Sequence, residues 1–163
     1  MVYLKTDMSK KEIIYWDADC FLGFLKEEQD KIGQCRGTTE KAEKGDLIIV
    51  TSAITLIEVV KLDKTLRLKA KDEKTIRDFF KNPYIHIHNV DREVGMIARD
   101  LLWKHFLLQR DSIHVATALK LKLGKMHTFD GQLLKLDNKY GDPKIRISNP
   151  DISYQMGFED LNE

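Results

Sequence analysis

Two carboxylates at opposite ends of one helix–strand unit are the residues best placed for chemistry. The stretch RDSIHVATALKLKLGKMHTFD carries Asp111 near its start and Asp130 at its end. Apolar residues at helical spacing predict a helix over 112–123, with Asp111 as its N-cap and Gly124 as a left-handed residue after its end. A short strand over 125–129 is predicted to return along this helix. About twelve helical residues rise roughly 18 Å and about five strand residues span roughly 16 Å, so both acids are expected at one edge of the fold.

Two further acids stand close to the ends of other predicted strands. Asp17 directly follows EIIYW, an apolar run over 12–16. Glu58 lies near the second turn of a helix predicted over 53–61, which follows the apolar run LIIV over 47–50. In a right-handed parallel α/β arrangement, the carboxyl ends of the strands meet at one edge of the sheet. All four acids are therefore expected at that edge.

Four carboxylates at one edge repel each other unless a counter-charge is present. Two like charges about 4 Å apart cost roughly 1 kcal/mol in water and about 4 kcal/mol at an effective dielectric constant of about 20. Such a group takes up protons or binds divalent cations, and oxygen-only ligands favour Mg²⁺ or Mn²⁺ over zinc. Two such ions can activate water and stabilise the leaving oxygen of a phosphodiester. Taken singly, each acid also has an ordinary structural explanation as a helix cap, a solvated helix residue or a loop acid.

The alternation of predicted strands and helices indicates an α/β fold with a mostly parallel sheet. The strands are predicted over 12–16, 47–50, 84–90, 125–129 and 144–147. The helices are predicted over 20–26, 53–61, 62–80 (as one or two), 91–106, 112–123 and 132–136. The charged segment 27–46 is interpreted as a helix with a loosely structured turn, and Trp103 is expected in the core.

The composition fits a single globular domain. With 163 residues, 42% hydrophobic and 33% charged, one domain over 1–163 is expected, with its core at about 12–150 and a peripheral tail at 151–163. The net charge of +1 requires any basic surface to be local. Only two cysteines, Cys20 and Cys35, predict free thiols in a reducing compartment. Neither a run of roughly eighteen apolar residues nor a signal-peptide pattern is found, so a cytoplasmic location is expected.

Several segments of the chain together carry a family resemblance. They read IIYWDADCFLGFL, IIVTSAITLIEVVKL and RDSIHVATALKLKLGKMHTFD, and IRISNP closes the series. In this order, over about 12–150, they resemble the PIN-domain ribonucleases of the kind found as VapC-type toxins in toxin–antitoxin pairs. The third segment is the most specific, because Asp111, His114, Ala116 and the ending Thr-Phe-Asp all fall in place.

The resemblance implies a three-layer α/β/α domain that cleaves RNA by metal-dependent hydrolysis, with metal-activated water as the nucleophile. It implies Mg²⁺ or Mn²⁺ held by Asp17, Glu58, Asp111 and Asp130. A Ser or Thr near the acids helps to orient them in this family, a role that Thr128 fits and for which Ser52 is the weaker candidate. As partners it implies an RNA substrate, a small antitoxin protein and a second copy of the chain in a homodimer.

Some features are left open by the sequence. Asp19 stands where the family more often has Asn, Ser or Thr; it either caps the next helix, the favoured interpretation, or adds a carboxylate behind the site. His114 is interpreted as a packing residue or as a hydrogen-bond partner of the site, not as a general base. His86 and His88 are interpreted as structural, since no third metal ligand stands at a recognisable spacing. A basic stretch could follow a phosphate backbone or form a solvated helix face; it consists of Lys61, Lys64, Arg67, Lys69, Lys71 and Lys74.

Other functions remain as alternatives. A haloacid-dehalogenase-type phosphatase would use Asp17-Ala18-Asp19 as its nucleophile motif and Thr51 as its second motif, but would leave Glu58 and Asp111 without a role. A non-catalytic RNA-binding module with the same fold would be favoured by loss of one of the acids, yet all four are present. An RNA-processing nuclease without an antitoxin would carry the same residues.

Overall fold

A parallel β-sheet forms the centre of the molecule. The computed structural model describes residues 11–64 and 67–151. Its strands are β1 Glu12–Trp16, β2 Leu47–Ser52, β3 Ile85–His88, β4 Lys125–His127 and β5 Arg146–Ser148. They lie in the order β3-β2-β1-β4-β5, and each neighbouring pair is parallel. The predicted α/β class with a mostly parallel sheet is confirmed. Most of the predicted peripheral tail, residues 152–163, lies outside the described part of the chain.

Helices cover both faces of this sheet. They are α1 Ala18–Leu25, α2 Ile32–Glu43, α3 Thr55–Glu58, α4 Ala70–Phe80, α5 Arg92–Lys104, α6 Gln109–Lys120 and α7 Gly131–Leu134. Side chains alternate along β1, so that Tyr15 packs in the core beneath α5 and α6, while Ile14 and Trp16 pack in the core beneath α1 and α4. The result is the expected three-layer α/β/α arrangement. In the part of the chain that the structure describes, every helix is too short or too polar to span a bilayer.

The helix after β2 is much shorter than predicted. The spacing predicts a helix over 53–61, but only Thr55–Glu58 are helical. Strand β2 continues through Thr51 and Ser52, which pair with β3. At the other end, Val59 leaves the helical conformation, with φ −99° and ψ 79°, and buries its side chain in the core. Tertiary burial therefore outweighs the helical pattern, and Glu58 stands at the end of a single turn.

The helix of the 110–130 stretch also differs at both ends. Helix α6 begins at Gln109, and Leu108 occupies the N-cap position without a capping side chain, so the N-cap prediction for Asp111 is wrong. The left-handed residue is Lys122 (φ 53°) and not Gly124. The amides of Lys122 and Leu123 donate to the carbonyls of Leu119 and Ala118, the pattern of a Schellman motif. The reversal at this point lets Leu123 fold back onto the core.

Helix α5 presents an apolar surface to solvent. Its buried face consists of Val94, Ala98 and Leu101. Trp103 lies on the opposite side with 78% of its surface exposed, so its predicted place in the core is wrong. Phe106, just after the helix, is 96% exposed. By contrast, the helix predicted in the charged segment 27–46 is present as α2, which packs on α1 and β2.

Candidate active site

The carboxylate of Asp17 is the most buried of the candidate acids. It follows β1 directly and caps α1, where Oδ1 accepts a hydrogen bond from the amide of Cys20 at 3.2 Å. Its other oxygen, Oδ2, accepts a hydrogen bond from the hydroxyl of Thr128. Burial raises the pKa of Asp17 to about 6, against the opposing effect of the Thr128 hydrogen bond. The ionised form of Asp17 therefore costs folding free energy.

The hydroxyl of Thr128 joins the ends of two neighbouring strands. Trp16 at the end of β1 pairs with His127 at the end of β4. Thr128 Oγ1 donates to Asp17 and accepts from the amide of Asp130 at 3.0 Å. One fully buried side chain thus fixes two of the candidate acids relative to each other.

Asp130 is placed by the helix that follows it. Its Oδ1 accepts hydrogen bonds from the amides of Gln132 at 2.8 Å and Leu133 at 3.1 Å, which makes it the N-cap of α7. Since these bonds use a single carboxylate oxygen, the cap also sets the direction of the other oxygen.

Glu58 reaches the same edge from α3. Thr55 is the first residue of this helix, and its Oγ1 lies 2.7 Å from Oγ1 of Thr51. Because Thr51 donates its own proton to the carbonyl of Trp16 at 2.7 Å, Thr55 is the donor to Thr51. These bonds attach α3 to the ends of β1 and β2. Glu58 Oε2 then lies 2.7 Å from His114 Nε2, and Oε1 lies 3.5 Å from Arg110 Nε.

Several of the acids interact electrostatically with one another. Burial raises the pKa of Asp111, and the nearby carboxylate of Asp130 raises it further. Burial likewise raises the pKa of Asp19; the attraction of Lys31 opposes this, and the charges of Asp130 and Glu58 add to it. Asp19, Asp111, Asp130 and Glu58 therefore influence one another electrostatically. A metal site formed by the four candidate acids stays a prediction.

A cavity of about 500 Å³ opens beside these acids. It is lined by Ala18, Asp19, Leu22, Ile54, Ile57, Glu58 and Arg110. Asp19 and Glu58 supply negative charge, and Arg110 supplies a guanidinium on a side chain that is 58% exposed. This combination suits a polyanion that arrives together with cations.

The donor chemistry fits a hard divalent cation. The carboxyl groups supply oxygen ligands only, which suits Mg²⁺ or Mn²⁺, and a cation would offset both the burial and the added repulsion that raise the pKa values of Asp19 and Asp111. Within residues 11–64 and 67–151, however, no three His, Cys, Asp or Glu side chains stand close enough to hold one ion. The carboxylates are directed instead by their own partners, which are Thr128 for Asp17, His114 for Glu58 and the α7 amides for Asp130.

Several residues near the acids differ from the sequence expectation. Asp19 is not the cap of α1, because Asp17 fills that position; it lies in the first turn and lines the cavity. Ser52 accepts a hydrogen bond from the amide of Ile54 at 3.3 Å, a contact within its own turn. Arg110 was not singled out by the sequence, although it directly precedes Asp111. Its signal was a cation adjacent to a predicted site acid.

The basic stretch and the β3 histidines give little sign of a second site. Lys69 pairs with Asp63, and Lys74 pairs with Asp78 at 2.8 Å, so these two lysines belong to exposed ion pairs. His88 lies 3.9 Å from Asp91. This distance is too long for a hydrogen bond, and the structural interpretation of His86 and His88 stays a prediction.

The family model described as PIN domain matches residues 14–139. The chain belongs to the PIN domain family. The match covers every candidate site residue, so the predicted resemblance is confirmed at the level of the family.

Solved structures agree with this PIN assignment at the level of the fold. A chain in the crystal structure of VapBC2 from Rickettsia felis bound to a promoter DNA fragment has a TM-score of 0.60, 14% identity, and coverage of 85% of this chain and 99% of its own. A chain in a toxin–antitoxin complex from Klebsiella pneumoniae has a TM-score of 0.60 and 18% identity, and the match covers 88% of this chain and 99% of that one. Mycobacterium tuberculosis VapC20, described as a Sarcin-Ricin loop cleaving toxin, has a TM-score of 0.58 and 14% identity. The match covers 72% of this chain and 90% of VapC20. A comparison with curated proteins gave no significant match.

Proposed function

We propose that this PIN-domain protein is a metal-dependent endoribonuclease that hydrolyses RNA phosphodiester bonds at the acidic edge of its sheet. The observation that carries the proposal is the shared edge itself. Asp17, Glu58, Asp111 and Asp130 reach it from separate elements, and the buried Thr128 hydroxyl binds the first of them and the backbone of the last. A carboxylate as buried as Asp17, with its pKa raised to about 6, is costly for folding and is therefore best explained by function.

We assign different roles to the residues at this edge. We assign the cation, Mg²⁺ or Mn²⁺, to Asp17, Glu58, Asp111 and Asp130. When bound, such an ion supplies Lewis acidity that activates water and offsets charge on the phosphate. Thr128 holds Asp17 in place, and Arg110 at the cavity can bind a phosphate oxygen through its guanidinium.

We also propose that the chain is the toxin of a toxin–antitoxin pair, neutralised by a small protein, and that it forms a homodimer. Two of the similar folds come from VapBC2 and from a toxin–antitoxin complex, which supports the first part. The exposed aromatic side chains of Trp103 and Phe106 support a protein interface, because such groups are more common at interfaces than on free surfaces. Light scattering that gives the mass of a single chain would contradict the dimer.

The alternatives make different demands on the same site. An RNA-processing nuclease would cleave RNA without an antitoxin partner, and a non-catalytic module would bind RNA without cleaving it. The PIN family match favours a nuclease over the phosphatase alternative, which would leave Glu58 and Asp111 without a role. Turnover of a small phosphate ester with no cleavage of RNA would revive it.

Replacing Asp111 by Asn is expected to reduce RNA cleavage by more than about 10-fold, because even groups behind a metal ligand typically change metal affinity or activity by about 10–100-fold. Asp100→Asn is the matched control, since Asp100 is an exposed carboxylate on α5. Both variants are assayed on RNA with Mn²⁺ and with EDTA. Equal cleavage by the two variants, or full cleavage by the wild type in EDTA, would contradict the proposal.

A further inference from the structure

A buried histidine links the protein core to the acidic edge. His114 lies on α6, one turn after Asp111, and is only 1% exposed. Its Nδ1 lies 2.7 Å from the hydroxyl of Tyr15, and its Nε2 lies 2.7 Å from Oε2 of Glu58. The imidazole therefore spans the distance between a phenol in the core and a carboxylate of the candidate site. Its two partners stand 99 and 56 positions away in the chain.

The surroundings of Tyr15 and Glu58 determine which atom is the donor in each of these two hydrogen bonds. A phenol buried in an apolar core keeps its proton, because the ionised form would lose its hydration. Tyr15 is such a phenol, so its O–H donates to Nδ1 of His114. The Glu58 carboxylate can only accept, so the Nε2–H of His114 donates the hydrogen bond to it. Tyr15 thus fixes the tautomer of His114, and the tautomer fixes a hydrogen bond to Glu58.

The other features that could orient the Glu58 carboxylate are weak. Helix α3 is a single turn, and isolated short helices are unstable without tertiary contacts. The residue after Glu58 is already non-helical. Within residues 11–64 and 67–151, the carboxylate also lies 3.5 Å from Nε of Arg110, which is on a mostly exposed side chain. His114 is therefore the rigid, buried contact that sets the direction of this carboxylate.

We propose that His114, oriented by Tyr15, is a positioning residue that presents Glu58 for divalent cation binding. The inference rests on the proposed function and adds a determinant of metal affinity to it. Histidine and carboxylate partners that orient a metal ligand typically change metal affinity by about 10–100-fold when they are removed. His114 itself does not touch the substrate in this role, and it transfers no proton.

The test measures Mn²⁺ binding to the full chain by calorimetry, without RNA, and then the Mn²⁺ dependence of RNA cleavage. His114→Leu is expected to weaken Mn²⁺ binding by about 10–100-fold, with the RNA KM unchanged at saturating Mn²⁺. His114→Gln is expected to recover most of the affinity, because its amide can still donate to Glu58. Tyr15→Phe is expected to weaken binding by a smaller but measurable factor. Tyr140→Phe is the matched control, since Tyr140 bonds to His105 in a second Tyr–His pair.

Different outcomes separate this inference from the function on which it rests. A folded His114→Leu variant that binds Mn²⁺ as the wild type does would overturn the positioning role while leaving the nuclease proposal intact. Should His114→Leu not fold, Tyr15→Phe carries the test, and an affinity equal to that of Tyr140→Phe overturns the role. A folded wild type that neither binds Mn²⁺ nor cleaves RNA would instead overturn the proposed function, and the positioning role with it.

Discussion

Replacing Asp17 by Asn is expected to reduce RNA cleavage by at least about 100-fold, while making the metal-free protein more stable at neutral pH. The loss of activity follows from removing a proposed metal ligand at the centre of the edge. The amide can keep the hydrogen bond from Cys20 through its oxygen and can turn its NH₂ toward Thr128. The fold therefore keeps its local contacts, and the charge alone is lost.

The gain in stability follows from the direction of the pKa shift. Burial raises the pKa of Asp17 from 3.8 to about 6, so the folded state binds the proton more tightly than the unfolded state does. At pH 7 the ionised carboxylate therefore costs folding free energy, of the order of 3 kcal/mol for a shift of this size. This cost decreases as the pH falls through 6 and is gone below about 3.8. The stabilisation by Asn is thus expected at pH 7 and not at pH 4.

Urea denaturation in EDTA at the two pH values measures this effect, with Asp100→Asn as the control for loss of an exposed carboxylate. Cleavage of RNA is measured on the same preparations with Mn²⁺. A variant that is less stable than the wild type at pH 7 would contradict the account of burial. Cleavage close to that of the wild type would contradict the role of the carboxylate.

Removing the hydroxyl of Thr128 is expected to have the second largest effect. Valine has nearly the same shape as threonine, but Thr128→Val leaves Asp17 and the Asp130 amide without the partner that joins them. An unsatisfied buried polar group costs about 1–3 kcal/mol of stability. Loss of a group that orients a metal ligand reduces activity by about 10–100-fold. Both losses are expected together in this variant.

Thr128→Ser is the matched control, because it keeps the hydroxyl and removes only a methyl group. Its cleavage rate is expected to stay within a few-fold of the wild type. The measurements are RNA cleavage at saturating Mn²⁺ and the free energy of unfolding in EDTA. Equal activity of the Val and Ser variants would show that the bridge between the two acids has no part in catalysis.

Much of the fold could be predicted from local patterns. Strand β1 is predicted with its observed bounds, because EIIYW is a compact run of strand-forming residues that ends at Asp17. Predictions from helical spacing failed where tertiary burial competes with it. Val59 breaks the helix after β2 to enter the core. The core prediction for Trp103 fails for a different reason, because Trp103 lies on the side of α5 opposite Val94, Ala98 and Leu101. The start of α6 was misplaced because Asp111 resembles a cap, whereas the helix begins one turn earlier without one.

Sequence patterns predict the candidate acids and Thr128 as their support, but not the residues that contact Glu58. An acid just after a buried strand is visible in the sequence, and parallel topology then brings such acids together. The link from Glu58 through His114 to Tyr15 is not visible in this way, because no local pattern relates these residues. The same holds for the place of Arg110 beside Glu58, which depends on the short α3 and on the early start of α6.

Cleavage of RNA by the purified full chain, with and without a divalent cation, is the most direct test of the proposed metal-dependent nuclease activity. End-labelled RNA is incubated with the wild type and with Asp17→Asn, each in Mn²⁺ and in EDTA. The account predicts discrete fragments from the wild type in Mn²⁺, none in EDTA, and almost none from the variant. Equal cleavage by the wild type and Asp17→Asn, or intact RNA after incubation with folded wild type and Mn²⁺, would contradict it.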